Sequence, residues 1–240
     1  MKNKQKHSIL LIAIAILILL VFALSYSIVR INDGIYFIFS KELYLYEKEY
    51  TDENTKDLKR MKSLERVVLA GTHITNIEFL EDMHNLKSLY IWCAAGYEIG
   101  DLSSLRNCQE IEYFEGINLD ITDLSDFENL RKLKCLKLES GYTGSSVIHD
   151  SMIANIDAVC YLTDLQVLSI YGDDISDISA LSHCSELIDV TLYGTNAQDY
   201  SVLLELPNLK YLSIDDNVLT DGEIWKLKDK GVVVTEYTES

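Results

Sequence analysis

Histidine, cysteine and clustered aspartate are the residue types here best suited to nucleophilic or metal chemistry, and their spacing argues against both. His7, His73, His84, His149 and His183 are scattered through a 240-residue chain. None belongs to an H-E-x-x-H pair, which would set two metal-binding imidazoles on one helical face. No Gly-x-Ser-x-Gly elbow or phosphate-cradling glycine loop accompanies them. His183 and Cys184 are adjacent, and an imidazole beside a thiol is the arrangement that activates a cysteine nucleophile. Asp173-Asp174-Ile175-Ser176-Asp177 has the carboxylate density of a calcium loop. Cys93, Cys108, Cys135, Cys160 and Cys184 form no C-x-x-C pair and no zinc spacing.

Whether any of these groups face one another depends on the elements that carry them, and those elements repeat. Counted from the first apolar residue, copies begin at Leu64, Leu86, Ile111, Leu133, Leu165, Leu187 and Leu209. The steps are 22, 25, 22, 32, 22 and 22 residues. The cleanest copy places Leu165, Leu168, Ile170, Ile175, Ile178, Leu181 and Cys184 at positions 1, 4, 6, 11, 14, 17 and 20. Positions 4 and 6 alternate as in a strand, so both side chains face one way. Positions 11, 14, 17 and 20 step by three, which suits a 3₁₀ return. One such unit cannot bury its own apolar face and must stack on its neighbours.

A period in this range with this pattern predicts an α/β leucine-rich-repeat solenoid, with a concave parallel β-sheet and 3₁₀ or short-helix turns on the convex side. The pattern LxxLxLxx(N/T/D)xIxxIxxLxxL resembles the 22-residue repeats of bacterial internalin-like proteins and of phosphatase-regulatory subunits, from about Leu58 to Val234. In that family a polar residue at position 9 bonds the backbone of the turn. Here the position holds Thr72, Ala94, Leu119, Gly141, Asp173, Thr195 and Asn217. Ala94, Leu119 and Gly141 cannot make that bond, so the resemblance implies a broken ladder in the middle copies. Gly116 also takes the second strand position of its copy, and Phe114 is expected to carry that layer. Extra residues near Ala94–Glu98 and Gly141–Asp150 follow the strand in both cases and should emerge on one edge.

The register sorts the reactive groups. Cys108 and Cys184 fall on core positions, where a thiol behaves as a small hydrophobe, so Cys184 points away from His183. The aspartates around Asp177 lie in a turn and return, where Asp bonds its own backbone. No catalytic residue, cofactor or metal site is expected. Strand positions 3, 5 and 7 face solvent and carry Tyr90, Trp92, Tyr113, Tyr171, Tyr193 and Tyr211, interleaved with Glu115, Lys137, Glu139, Asp189 and Asp215. Tyr and Trp dominate interface hot spots, and the acids favour a basic or polar partner. The same rings also stabilise a sheet by cross-strand contact, and the sequence leaves both roles open. The expectation is a protein partner on the concave face; cell-wall glycan stacked on Trp92 and the tyrosines is the alternative.

Charge narrows the partners further. The chain carries a net −17. Residues 1–30 hold four basic residues and no acids, leaving 17 basic and 38 acidic residues beyond them. Such a surface repels phosphate backbones, so nucleic acid is excluded as a partner. At the N-terminus, Lys2–His7 precedes an unbroken apolar run from Ile9 to Leu24. A helix from Ile9 to Val29 would span roughly 31 Å, close to a bilayer core. The preceding lysines predict a cytoplasmic N-terminus and extracytoplasmic repeats. Cleavage at Ala23-Leu24-Ser25 as a signal peptide is the competing reading, and would make the protein secreted. The expected organisation is a signal anchor or transmembrane segment at 1–30, a stalk and N-terminal cap at 31–63, repeats at 64–219 and a C-terminal cap at 220–240. Within the last, Thr220–Lys230 reads as a capped helix whose Trp225 is expected to pack on the final repeat.

Overall fold

In the computed structural model, residues 2–47, 49–139, 142–143, 146–147, 153–171 and 174–237 are described, the side chains of 2–11, 142–143 and 146–147 excepted. A helix, α1 (Lys2–Tyr26), leads into an antiparallel hairpin of β1 (Ile28–Ile31) and β2 (Gly34–Phe37). There follow β3 (Glu42–Tyr46), a short α2 (Asp52–Thr55), β4 (Arg66–Thr72), β5 (Ser88–Cys93), β6 (Tyr113–Ile117) and β7 (Cys135–Glu139). The second insertion holds a two-residue hairpin, β8 (Tyr142–Thr143) and β9 (Ser146–Val147). Then come β10 (Val167–Tyr171), β11 (Asp189–Tyr193), α3 (Ser201–Glu205), β12 (Tyr211–Asp215), α4 (Asp221–Asp229) and β13 (Val233–Tyr237).

From β4 to β12 every repeat strand begins at position 3 of its copy, because that is where the period-two apolar pattern begins. The strands β3 to β7 and β10 to β13 form one parallel sheet of nine. Equivalent positions pair: Val67, Leu89, Phe114, Leu136, Leu168, Val190 and Leu212 lie side by side. These side chains are all fully buried. A backbone spine locks the step. The carbonyl of Glu65 accepts from both Lys87 and Ser88, at 2.8 and 3.0 Å, and that of Lys87 accepts from Glu112 and Tyr113. The same pair of bonds recurs at the carbonyls of Glu112, Lys134, Gln166 and Ile188. Carbonyls and amides left at each repeat boundary are satisfied only by the next repeat, as buried backbone requires.

The returns are 3₁₀ turns at Glu78–Leu80, Ser103–Asn107, Ser125–Phe127, Asp157–Tyr161 and Ser179–His183, with α3 as the equivalent in the next copy. Position 13 starts each one. Asn76, Asp101, Asp123, Asn155, Asp177 and Asp199 accept from the amide two residues on, at 2.7 to 2.9 Å. Asp177 thus spends a carboxylate oxygen on its own turn, while Asp173 lies outside the described residues.

The middle copies depart from the expected pattern in an ordered way. At position 8 the chain turns left-handed, with Gly71, Asn118 and Gly194 at φ 66°, 57° and 69°. Asn118 supplies the buried polar side chain that Leu119 cannot, reaching the Cys93 carbonyl at 3.5 Å. Leu119 instead turns inward over Gly116. A Cβ on Gly116 would stand 2.4 Å from Leu119 Cδ1 and 3.0 Å from Phe114 Cε1. Phe114 carries the layer as expected, packed edge-on against Phe127 at 4.9 Å, but Leu119 shares that work. Gly141 lies outside the described residues.

A second ladder runs on the surface along position 2. Lys41 meets Glu65 at 2.8 Å, Glu65 meets Lys87 at 2.9 Å, and Glu112 meets Lys134 at 2.7 Å. Opposite charges one repeat apart reinforce the register that the spine sets.

Both caps extend the sheet. At the N-terminal end β3 pairs with β4, and Val29 and Ile31 enter the core. Arg60 clamps the hairpin by donating to the carbonyls of Tyr26 and Ile28 at 2.6 and 3.1 Å. The helix expected from Ile9 to Val29 therefore ends at Tyr26, because Val29 is drawn into the solenoid core. Among the described residues no helix is long and apolar enough to cross a membrane. At the C-terminal end Thr220 and Glu223 form a reciprocal capping box at the start of α4. Trp225 corrects the sequence expectation: it is 66% exposed, and Leu227 is the buried residue of α4. Ile224 and Leu227 are three residues apart and share the inner helical face, while Trp225 is rotated by about 100° from Ile224.

Two outcomes follow. Gly116→Val should lower the unfolding free energy by roughly 1–3 kcal/mol through overpacking, and adding Leu119→Ala should recover part of it; a urea midpoint unchanged by Gly116→Val would contradict the packing described. Hydrogen bonds from Lys41 and then Lys87 lower the Glu65 carboxyl from 4.5 to about 2. A depressed acid contributes stability above pH 4.5 that is lost as pH falls toward 2. Glu65→Gln should therefore flatten the acid limb of a stability–pH curve in that window, and high salt should shrink the difference.

Candidate partner-binding face

Because side chains alternate along each strand, positions 3, 5 and 7 of all nine strands form one solvent-facing surface. Pairing register arranges it in rows. Along position 5 stand Tyr44, Val68, Tyr90, Glu115, Lys137, Ser169, Thr191, Ser213 and Thr235. Along position 3, Asp189 sits between Val167 and Tyr211. On position 7, Tyr46, Ala70, Trp92, Ile117 and Glu139 are consecutive, Tyr171 pairs with Tyr193, and Asp215 pairs with Tyr237.

The expected residues are all on this face, but they are not equivalent. Trp92 and Tyr211 are 44% and 52% exposed, whereas Tyr90, Tyr113, Tyr171 and Tyr193 are half-buried. The Tyr113 hydroxyl donates to Glu115, and burial first, then this bond, raises its pKa. Asp215 accepts from the Gly194 amide at 2.7 Å, so it holds the left-handed turn of the preceding repeat. Tyr171 and Tyr193 meet edge-to-face at 5.1 Å, and Tyr193 reaches Tyr237 at 5.2 Å. Sequence reasoning missed Tyr237, which lies in the cap strand β13 beyond the regular copies. Tyr44 and Tyr46, stacked at 6.3 Å, extend the face at the other end. There a depression of ≈ 330 Å³ is lined by Arg66, Lys87, Ser88, Glu112 and Tyr113.

The first insertion is tied down. Tyr97 lies flat on His73 at 3.7 Å, and Gly96 donates to Glu98. The side chains of the second insertion, Tyr142 included, lie outside the described residues.

The reactive groups considered from sequence are not brought together. Cys184 is buried and donates its thiol to the Val159 carbonyl at 3.3 Å, while His183 is exposed beside Ser182. Cys108 bonds the Leu80 carbonyl in the same way. Burial pushes the Cys108 thiol up to about 12 and those of Cys93 and Cys184 to about 11, and a thiol held protonated is a poor nucleophile. Among the described residues no three His, Cys, Asp or Glu side chains stand close enough to share a metal ion.

No family model and no curated protein sequence matches the chain. Solved structures match its fold. Internalin C2 of Listeria monocytogenes aligns at 22% identity with a TM-score of 0.59, over 82% of this chain and 80% of that one. An internalin, InlF, of the same organism gives 22% and 0.54, over 76% of this chain and 57% of that one. The functional domain of its InlJ, which includes a cysteine ladder, gives 13% and 0.52, over 83% and 53%. This chain thus spans little more than half the length of the InlF and InlJ structures. At such identities the likeness is one of fold: an internalin-like leucine-rich-repeat solenoid with a parallel sheet and short 3₁₀ turns.

Proposed function

We propose that the chain is a non-catalytic, extracytoplasmic protein-binding module that uses the solvent face of its sheet, the concave face of the solenoid. The observation that carries this reading is the exposure of Trp92 and Tyr211 among acids on a rigid nine-stranded surface. Large rings held in water cost free energy that a partner recovers by covering them. The fold shared with internalins is compatible with that role. Contact residues are Tyr90, Trp92, Tyr113, Glu115, Lys137, Glu139, Tyr171, Asp189, Tyr193, Tyr211 and Asp215. The acids favour a basic protein surface and steer its approach.

Location belongs to the same proposal. The side chains from Ile12 to Leu24 include a run of large apolar groups that are 44–68% exposed, and hydrocarbon would cover them. With Lys2, Lys4 and Lys6 at its start, α1 then anchors the chain with the repeats outside the cell.

Two measurements test these points. The full chain in neutral detergent should capture a specific protein, and Trp92→Ala with Tyr171→Ala should weaken capture at least tenfold, about 1.4 kcal/mol. Undiminished capture by that variant, or retention on purified peptidoglycan in place of a protein, contradicts the assignment. Mass spectrometry of the mature chain should find the N-terminal helix intact, and a mature start near Tyr26 would overturn the anchor.

A further inference from the structure

Resting on the binding role proposed above, the geometry points to an arginine anchor site at the C-terminal end of the sheet face. We infer that a guanidinium from the partner protein seats on the rings of Tyr171, Tyr193 and Tyr237, beside the carboxylates of Glu139 and Asp215.

Aromatic residues occur along the whole face, and among the described residues only here do two ring contacts share one tyrosine. Tyr193 contacts Tyr171 at 61° and Tyr237 at 52°, with centroids 5.1 and 5.2 Å apart. Inclined rings form a bent wall, and centroids this close let one cation lie within about 6 Å of two ring faces at once. The Tyr193–Tyr237 contact spans the intervening strand β12. On that strand Asp215 accepts from the Gly194 amide at 2.7 Å. That bond fixes a negative charge beside the pair. On the other flank, Glu139 contributes to raising the Tyr171 hydroxyl pKa, after burial, so its charge reaches the cluster. A planar guanidinium suits this site better than an ammonium, since it stacks on rings while donating sideways to carboxylates. Charge complementarity and ring geometry thus select the same occupant.

The test is a titration of the full chain, carbon-13 labelled in its tyrosine rings and held in neutral detergent. The probe is acetyl-glycyl-arginyl-glycine amide, and its citrulline counterpart is the neutral isostere. Saturable shifts are expected at Tyr171, Tyr193 and Tyr237, with at least fivefold weaker binding of the citrulline peptide. Tyr193→Phe should keep the affinity because the ring quadrupole remains, Tyr193→Leu should abolish the response, and Glu139→Gln should weaken it about threefold. Equal response to citrulline, shifts as large at Tyr90 and Tyr113, or unchanged affinity in Tyr193→Leu would overturn the site. Since the probe replaces the partner, failure here leaves protein capture by Trp92 and its neighbours standing, and failure of capture leaves the arginine response standing.

Discussion

A 22-residue coil of chain encloses an apolar interior that it cannot close alone, and everything else in this protein follows from handing that closure to the next coil. The position-2 carbonyl of each of the first six repeats accepts two amides from its successor. Once that contact is made, the strand following it can start at only one residue. The alternating apolar positions then fall inward together, and a one-residue slip would turn Leu168 and Ile170 to water. The charged ladder from Lys41 to Lys134 lies on the same position and opposes the same slip.

This constraint also allots the polar and reactive groups. The position-13 acids and amides start the 3₁₀ turns, so Asp177 of the aspartate-rich stretch bonds its own turn. The core thiols bond carbonyls of the preceding repeat and stay protonated. What the stacking leaves unassigned is the outer face of the sheet. There the side chains at positions 3, 5 and 7 are free to vary without disturbing the core, and this chain fills them with tyrosine, tryptophan and acids.

The repeat boundaries, strand starts and inward residues were legible from sequence because each is set by a local period. Less was legible where one repeat fills a deficit in another residue's environment. Leu119 looks like a failed polar turn residue until Gly116 is seen beneath it, and Asn118 one place earlier supplies the missing polar group. Asp215 reads as a binding acid, yet one of its oxygens caps a turn on the neighbouring repeat. Trp225 reads as core because it is large, whereas helical geometry gives the inner face to Ile224 and Leu227. Of the aromatic face, the residues were legible and their grouping was not. One of the two ring contacts of Tyr193 is with Tyr237, which lies in a strand outside the regular copies.

The central claim is that the partner meets the sheet face and not the turns behind it. Site-specific photocrosslinking tests this directly, with p-benzoylphenylalanine placed at Tyr193 on the sheet or at Tyr161, an exposed residue of a 3₁₀ return. The account predicts a covalent adduct with the captured partner from the Tyr193 position and none from the Tyr161 position. Adducts from the Tyr161 position alone would contradict it.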